Sequence, residues 1–134
     1  MDMINAGLVA DDKRLDMMPK YFDRWMMKTE SNIYGWMNYI CEFYRGGYWE
    51  MWEVSNGAFF MVPPAIDGGY KLSIDSNGFE GVLSAYAAGV VTCLFAYCYM
   101  WEMTDDDKFA SLCHSLREYA LTLDGSSLII SAID

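Results

Sequence analysis

A chain of 134 residues is long enough for one domain with its own hydrophobic core, and a single domain is expected. Its 54% hydrophobic and 16% aromatic content excludes a disordered tail or an acidic activation segment, which lack the apolar surface needed to offset chain entropy. The 19 acidic against 9 basic side chains give a formal charge of −10, which repels phosphates and anionic head groups and argues against autonomous nucleic-acid binding.

Residues 1–16 are polar and aperiodic and carry the charged run Asp11, Asp12, Lys13, Arg14 and Asp16, so they are expected as a flexible N-terminal arm ahead of one domain over 17–134. After Pro19, the apolar positions Phe22, Trp25, Met26, Ile33, Trp36, Met37, Ile40 and Tyr44 recur at helical spacing. They predict one helix, open to interruption at Ser31 and Asn32 and ended by Gly46 and Gly47.

Aromatic and β-branched runs at 48–54, 58–62, 70–74 and 79–82 predict strands. Asn56-Gly57 and Asn77-Gly78 read as two-residue type I′ turns, so the default sheet is an antiparallel β-meander of three to four strands. Pro63, Pro64, Gly68 and Gly69 mark 63–69 as an exposed loop.

Ser84 is placed to N-cap an apolar helix running to about Met103, and Thr104 or Asp105 to cap an amphipathic one over about 107–123. Phe109, Leu112, Leu116 and Leu123 form its inward stripe. Gly125 offers a left-handed exit, and Ser126 or Ser127 can start a short helix ending at Asp134. Residues 82–101 carry no charged side chain, close to the ~20 apolar residues of a membrane span. Ser84, Gly89 and Thr92, with acidic flanks that lack a Lys/Arg bias, instead predict a helix buried on all sides. The order helix, strands, helices gives an α+β class, an antiparallel meander packed against several α-helices in a single compact domain.

Catalytic chemistry finds little support. The only histidine, His114, falls off the inward stripe and lies one turn from Glu118, so an exposed helix pair is expected. Cys41, Cys93, Cys98 and Cys113 show no CxxC spacing and follow no secretory signal, which suits a reduced, cytoplasmic setting and small apolar packing roles. Neither a metal-ligand pattern nor a phosphate-binding glycine loop is present, and Arg45-Gly46-Gly47 reads as a turn. No cofactor, metal or small-molecule substrate is expected. Glu50 and Glu53 point to opposite faces of a strand, and the cluster Asp105, Asp106 and Asp107 suits a helix start, with protein docking as the second reading. Tyr48, Trp49 and Trp52 put aromatics on both faces of one strand, which is then either covered on both sides or a protein-binding ridge.

Several spaced motifs resemble the antirestriction proteins of the ArdB/KlcA family over nearly the whole chain. They are Tyr34-Gly35-Trp36-Met37, Gly46-Gly47-Tyr48-Trp49, Ser55-Asn56-Gly57, and Asn77-Gly78-Phe79-Glu80-Gly81 with Leu83-Ser84 and Ala87-Ala88-Gly89. The ending Ala132-Ile133-Asp134 is also similar, and Met18-Pro19-Lys20-Tyr21-Phe22 resembles the family's Leu-Pro-x-His-Phe lead-in, with Tyr21 in place of the histidine. The resemblance implies a cytoplasmic protein of plasmids or genomic islands, without cofactor, that inhibits type I restriction-modification enzymes and so protects incoming DNA. On that reading the chain is a protein-binding inhibitor and not an enzyme. Its contacts are expected on the carboxylates Glu50, Glu53, Asp105, Asp106, Asp107 and Asp134. The alternative is an interaction adaptor of similar fold, using an aromatic and acidic surface without antirestriction activity; a hydrolase would need a polar cleft that the motifs do not supply.

Overall fold

Within residues 3–134, which the computed structural model describes, the chain begins with a strand where the sequence suggested a loose arm. β1 (Ala6–Leu8) pairs antiparallel with β2 (Glu50–Val54), setting Ala6 opposite Val54 and Leu8 opposite Trp52. The Ser55 N–H donates to Asn5 O at 2.7 Å, the Val9 N–H to Met51 O at 2.8 Å, and Val9 is buried. The free edge of β2 recruits this segment, and no local propensity announces that pairing. Of the expected arm, Met1 and Asp2 lie outside the described residues.

A 3₁₀ turn at Asp11–Lys13 leads into α1 (Arg14–Phe22), which carries Pro19 inside it. The helix predicted to run on from Pro19 is in fact broken at Asp23, whose φ of 55° and ψ of −132° lie outside helical space. A second 3₁₀ turn, Asp23–Trp25, opens α2 (Met26–Ile40). The break lets Phe22 enter the core against Phe59, Tyr97 and Phe109 while Trp25 turns toward Asp106. Two tertiary anchors thus outweigh a backbone cost of about 1–3 kcal/mol for a non-glycine residue in such a region. Ser31 and Asn32 do not interrupt α2, and the helix stops at Ile40, short of the glycines. Gly47, at φ 125°, is held against Pro64, where a Cβ would come within 2.6 Å of Cγ.

β2 pairs with β3 (Phe59–Val62) and β4 (Tyr70–Ile74) with β5 (Phe79–Leu83), all antiparallel. The antiparallel strands divide into a three-stranded sheet of order β1-β2-β3 and a separate β4-β5 hairpin. Pro63 and Pro64 carry no N–H for a ladder, so the chain leaves the first sheet there. Neither turn is type I′. Only Gly57 (φ 94°) and Gly78 (φ 73°) take positive φ, in three- and four-residue loops closed by Gly57 N–H to Val54 O and Gly78 N–H to Ile74 O.

α3 (Ala85–Thr104) is the hub, packed against α2, β3, α4 (Asp107–Ala120) and α5 (Ser126–Ile133). Ser84 caps it as expected, its Oγ accepting from the Ala87 N–H at 3.1 Å. Gly89 rests directly on the β3 backbone, where a Cβ would lie 2.3 Å from Met61 O. Among the described residues no helix is long and apolar enough to cross a membrane. α4 is capped by Asp106, not by Thr104 or Asp105, and Asp105 instead closes α3 in the left-handed region at φ 58°. Gly125, at φ −90°, precedes α5 in place of the left-handed exit. Fully buried Trp49, Tyr97, Phe22, Phe59, Phe60 and Phe109 form the aromatic centre, each worth about 1.5–3 kcal/mol of burial.

Candidate functional site

The six carboxylates do not come together. Glu50 is exposed on β2 and accepts from Trp52 Nε1 at 3.2 Å, on the strand face that carries Trp52. Glu53 lies on the other face, where Lys20 Nζ donates at 2.7 Å and the Tyr21 hydroxyl also donates to it. These two donors hold its carboxyl below the usual carboxylate range, Lys20 contributing most. Tyr21, at the position where the family motif has histidine, stacks on Phe59 at 4.7 Å. Burial, followed by the hydrogen bond to Glu53, pushes its phenol up, so it serves as a neutral donor.

Asp105, Asp106 and Asp107 occupy the corner between α3 and α4. Asp106 Oδ1 accepts from the Lys108 N–H at 3.0 Å, and Oδ2 accepts from Trp25 Nε1 at 3.2 Å. The backbone bond from Lys108 is the main reason its carboxyl titrates low. Asp105 and Asp107 are exposed. Asp134 pairs with Arg117 at 3.4 Å, ten residues further along α4 and so roughly 15 Å from the corner. Exposed acids occur from Asp11, ahead of α1, to Asp134 beyond α5.

What meets the acidic corner is a groove between α2 and α3. A pocket of about 440 Å³ is lined by Ser31, Asn32, Gly35, Trp36, Tyr39 and Tyr99. An adjoining one of about 380 Å³ shares Ser31, Asn32 and Tyr99 and continues past Trp25 and Met103 to Thr104, beside Asp105. Trp36 stacks on Phe95 at 5.0 Å and meets Tyr39 edge-on at 5.7 Å, so the wall is stiff. Tyr39 and Met103 are each 66% exposed, and Tyr99 and Trp101 about 40%. Aromatic and Met side chains rimmed by charge are the composition of a protein-contact surface. The sequence reading missed this groove because it followed only the inward stripes; the signal was present in α3, which is apolar around its whole circumference although only part of it meets neighbours.

The other aromatic candidate is covered except at Tyr48, which is 62% exposed. Trp49 is buried and donates to the Tyr44 hydroxyl at 2.6 Å, Trp52 packs against Phe60 and Tyr86, and Tyr48 lies under the Arg14 guanidinium at 4.3 Å. His114 is exposed, and Glu118 accepts from Asn56 Nδ2. Among the described residues no group of three or more His, Cys, Asp or Glu could hold a metal.

Comparison with known proteins gives a consistent result. The family model described as Antirestriction protein matches residues 42–134. The chain is 38% identical over 136 residues to an antirestriction protein KlcA of Escherichia coli, covering 98% of this chain and 95% of that protein. A second Escherichia coli KlcA is 37% identical over 138 residues, covering 98% and 94%. A solved structure matches at a TM-score of 0.91 and 38% identity across 100% of both chains. It is described as coming from work in which KlcA and ArdB show a novel fold and antirestriction activity against type I DNA restriction systems in vivo but not in vitro.

Proposed function

Since the chain belongs to the antirestriction protein family that includes KlcA, we propose that it inhibits type I restriction-modification enzymes by binding to them without catalysis, in the bacterial cytoplasm, and so protects incoming plasmid or mobile-element DNA. The observation that carries this reading is the whole-chain match to a structure whose protein acts against type I systems in vivo. The groove between α2 and α3 supplies the apolar part of a contact surface, and exposed Asp105 and Asp107 at its end supply charge for a basic partner. Glu50, Glu53 and Asp134 stand apart from this surface and act, on this reading, as peripheral charges.

The test belongs in cells, where the solved relative shows its activity. Unmodified phage is plated on a host carrying a type I restriction system, with and without this chain, and modification is scored in parallel. Restriction falls while modification persists. The pair Tyr39→Ala with Tyr99→Ala, and separately Asp105→Lys with Asp107→Lys, lose protection at unchanged protein level, since central aromatic anchors are commonly worth about 2 kcal/mol or more. If both pairs protect as well as the parent, the contact surface is elsewhere. If the parent itself leaves restriction untouched, the chain is an adaptor of the same fold.

A further inference from the structure

Cys98 on α3 and Cys113 on α4 touch sulfur to sulfur at 3.3 Å. The helical hairpin produces this contact: Cys98 lies seven residues before Asp105 and Cys113 seven after Asp106, two turns from the corner on either side. Of the four cysteines, Cys41 and Cys93 are buried, and Cys93 lies against Met61 in the core as a small apolar side chain would. Cys98 is exposed and Cys113 half-buried, and a pocket of about 280 Å³ opens on the pair, lined by both cysteines, Leu94, Phe95, Arg117 and Ile133. Simple packing does not require two thiols to meet at a solvent-accessible pocket beside a guanidinium.

The electrostatics of the pair are asymmetric. Either thiol can donate in the contact they share, and that contact lowers the Cys98 thiol to about 7, with Arg117 helping and both burial and Glu102 opposing. The same contact, followed by burial, pushes the Cys113 thiol up. Near neutral pH Cys98, the more exposed sulfur, is therefore about half thiolate, with a protonated thiol in reach of it.

We propose that Cys98 and Cys113 form a reversible dithiol–disulfide couple that reacts with small disulfides such as oxidised glutathione, Cys98 attacking and Cys113 resolving. The inference does not depend on the restriction partner. In the first step the Cys98 thiolate attacks one sulfur of the small disulfide, a protein mixed disulfide forms, and the old S–S bond breaks to release one thiolate, which takes a proton from solvent. Cys113 then gives its proton to solvent and attacks Cys98 Sγ, forming the Cys98–Cys113 bond and releasing the second thiol. The two cysteines lose two electrons and two protons, and the small disulfide gains them as two thiols. The sulfurs need to close from 3.3 Å to the ~2.0 Å of a bond, a side-chain adjustment within one helical hairpin. The resulting loop encloses the Asp105–Asp107 corner and pins α3 to α4.

The experiment incubates the full folded chain in graded ratios of oxidised to reduced glutathione, traps free thiols by alkylation, and reads intact mass and peptide maps. The oxidised parent loses two hydrogens, yields a single Cys98–Cys113 cross-linked peptide, reverts with reductant and melts several degrees higher. Cys41 and Cys93 alkylate only after denaturation. Cys113→Ser traps one glutathione on Cys98, and Cys98→Ser reacts at least about tenfold more slowly. The proposal is overturned if both thiols of the folded parent stay free at ratios that fully oxidise a reference dithiol, if the glutathione adduct on the parent never resolves, or if the cross-link involves another cysteine. The parent arm decides the matter even if a serine variant folds poorly.

Discussion

Asn56 and Asn77 each do two jobs at once. Asn56 Oδ1 accepts from the Ala58 N–H at 3.1 Å to shape its turn, while Nδ2 reaches across to Ser115 O on α4 at 2.8 Å. Asn77 repeats the arrangement, with Oδ1 on the Phe79 N–H and Nδ2 on Ala132 O beyond the other hairpin at 2.9 Å. The Asn-Gly pairs were readable as hairpin turns from the sequence, but the cross-links to α4 and α5 were not, because they depend on where distant helices come to rest. Asn56→Asp keeps the turn acceptor, loses the donor and sets a charge beside Glu118, so urea unfolding should show a loss of about 1–3 kcal/mol, with Asn77→Asp in the same range. Glu53 adds a pH signature. Its carboxyl titrates below the ordinary range, so its contribution is fully present above the unfolded value near ~4.3 and fades as pH falls through the lower folded value. The stability gap between the parent and Glu53→Gln should be nearly constant from neutral pH down to about 5 and shrink at lower pH.

At the level of elements, alternation and caps revealed β2 to β5 and α3 to α5, since each is bounded by local chemistry such as Ser84 or the two prolines after β3. β1 escaped notice because Ala6, Gly7 and Leu8 have no marked strand preference and owe their state to the partner edge. The division of α1 from α2 escaped for a similar reason, as an unbroken apolar period conceals a kink imposed by Phe22 and Trp25. The groove was hidden because a side chain's exposure depends on which neighbour fails to cover it. Gly89 provides a sharp test of how closely α3 sits on β3. Glycine to alanine inside a helix ordinarily gains up to about 1 kcal/mol. Here the added Cβ meets the Met61 carbonyl, so Gly89→Ala should lose about 1–3 kcal/mol and lower Tm by several degrees in a thermal melt.

Over the whole molecule, the five acids and five bases between residues 11 and 30 cancel, so the charge of −10 comes from the rest of the chain, where folding gathers like charges. Tm should rise as sodium chloride increases from about 10 mM to about 150 mM, because screening weakens this self-repulsion; a flat or falling response would mean that the few ion pairs outweigh it. On the proposed function, the contact surface lies where apolar side chains gather and not where the acidic charge is greatest.

The central position of α3 has a consequence for how the protein is made. Ten of its 20 residues are buried, by α2 and β3, which are synthesised before it, and by α4 and α5, which come after. On the ribosome the longest apolar helix of the chain therefore emerges with only half of its covering available. Until the final two helices leave the exit tunnel, it is open to chaperones, to membranes and to other nascent copies. Nonsense mutations late in the gene would then act less by trimming a tail than by releasing a chain arrested in that half-covered state.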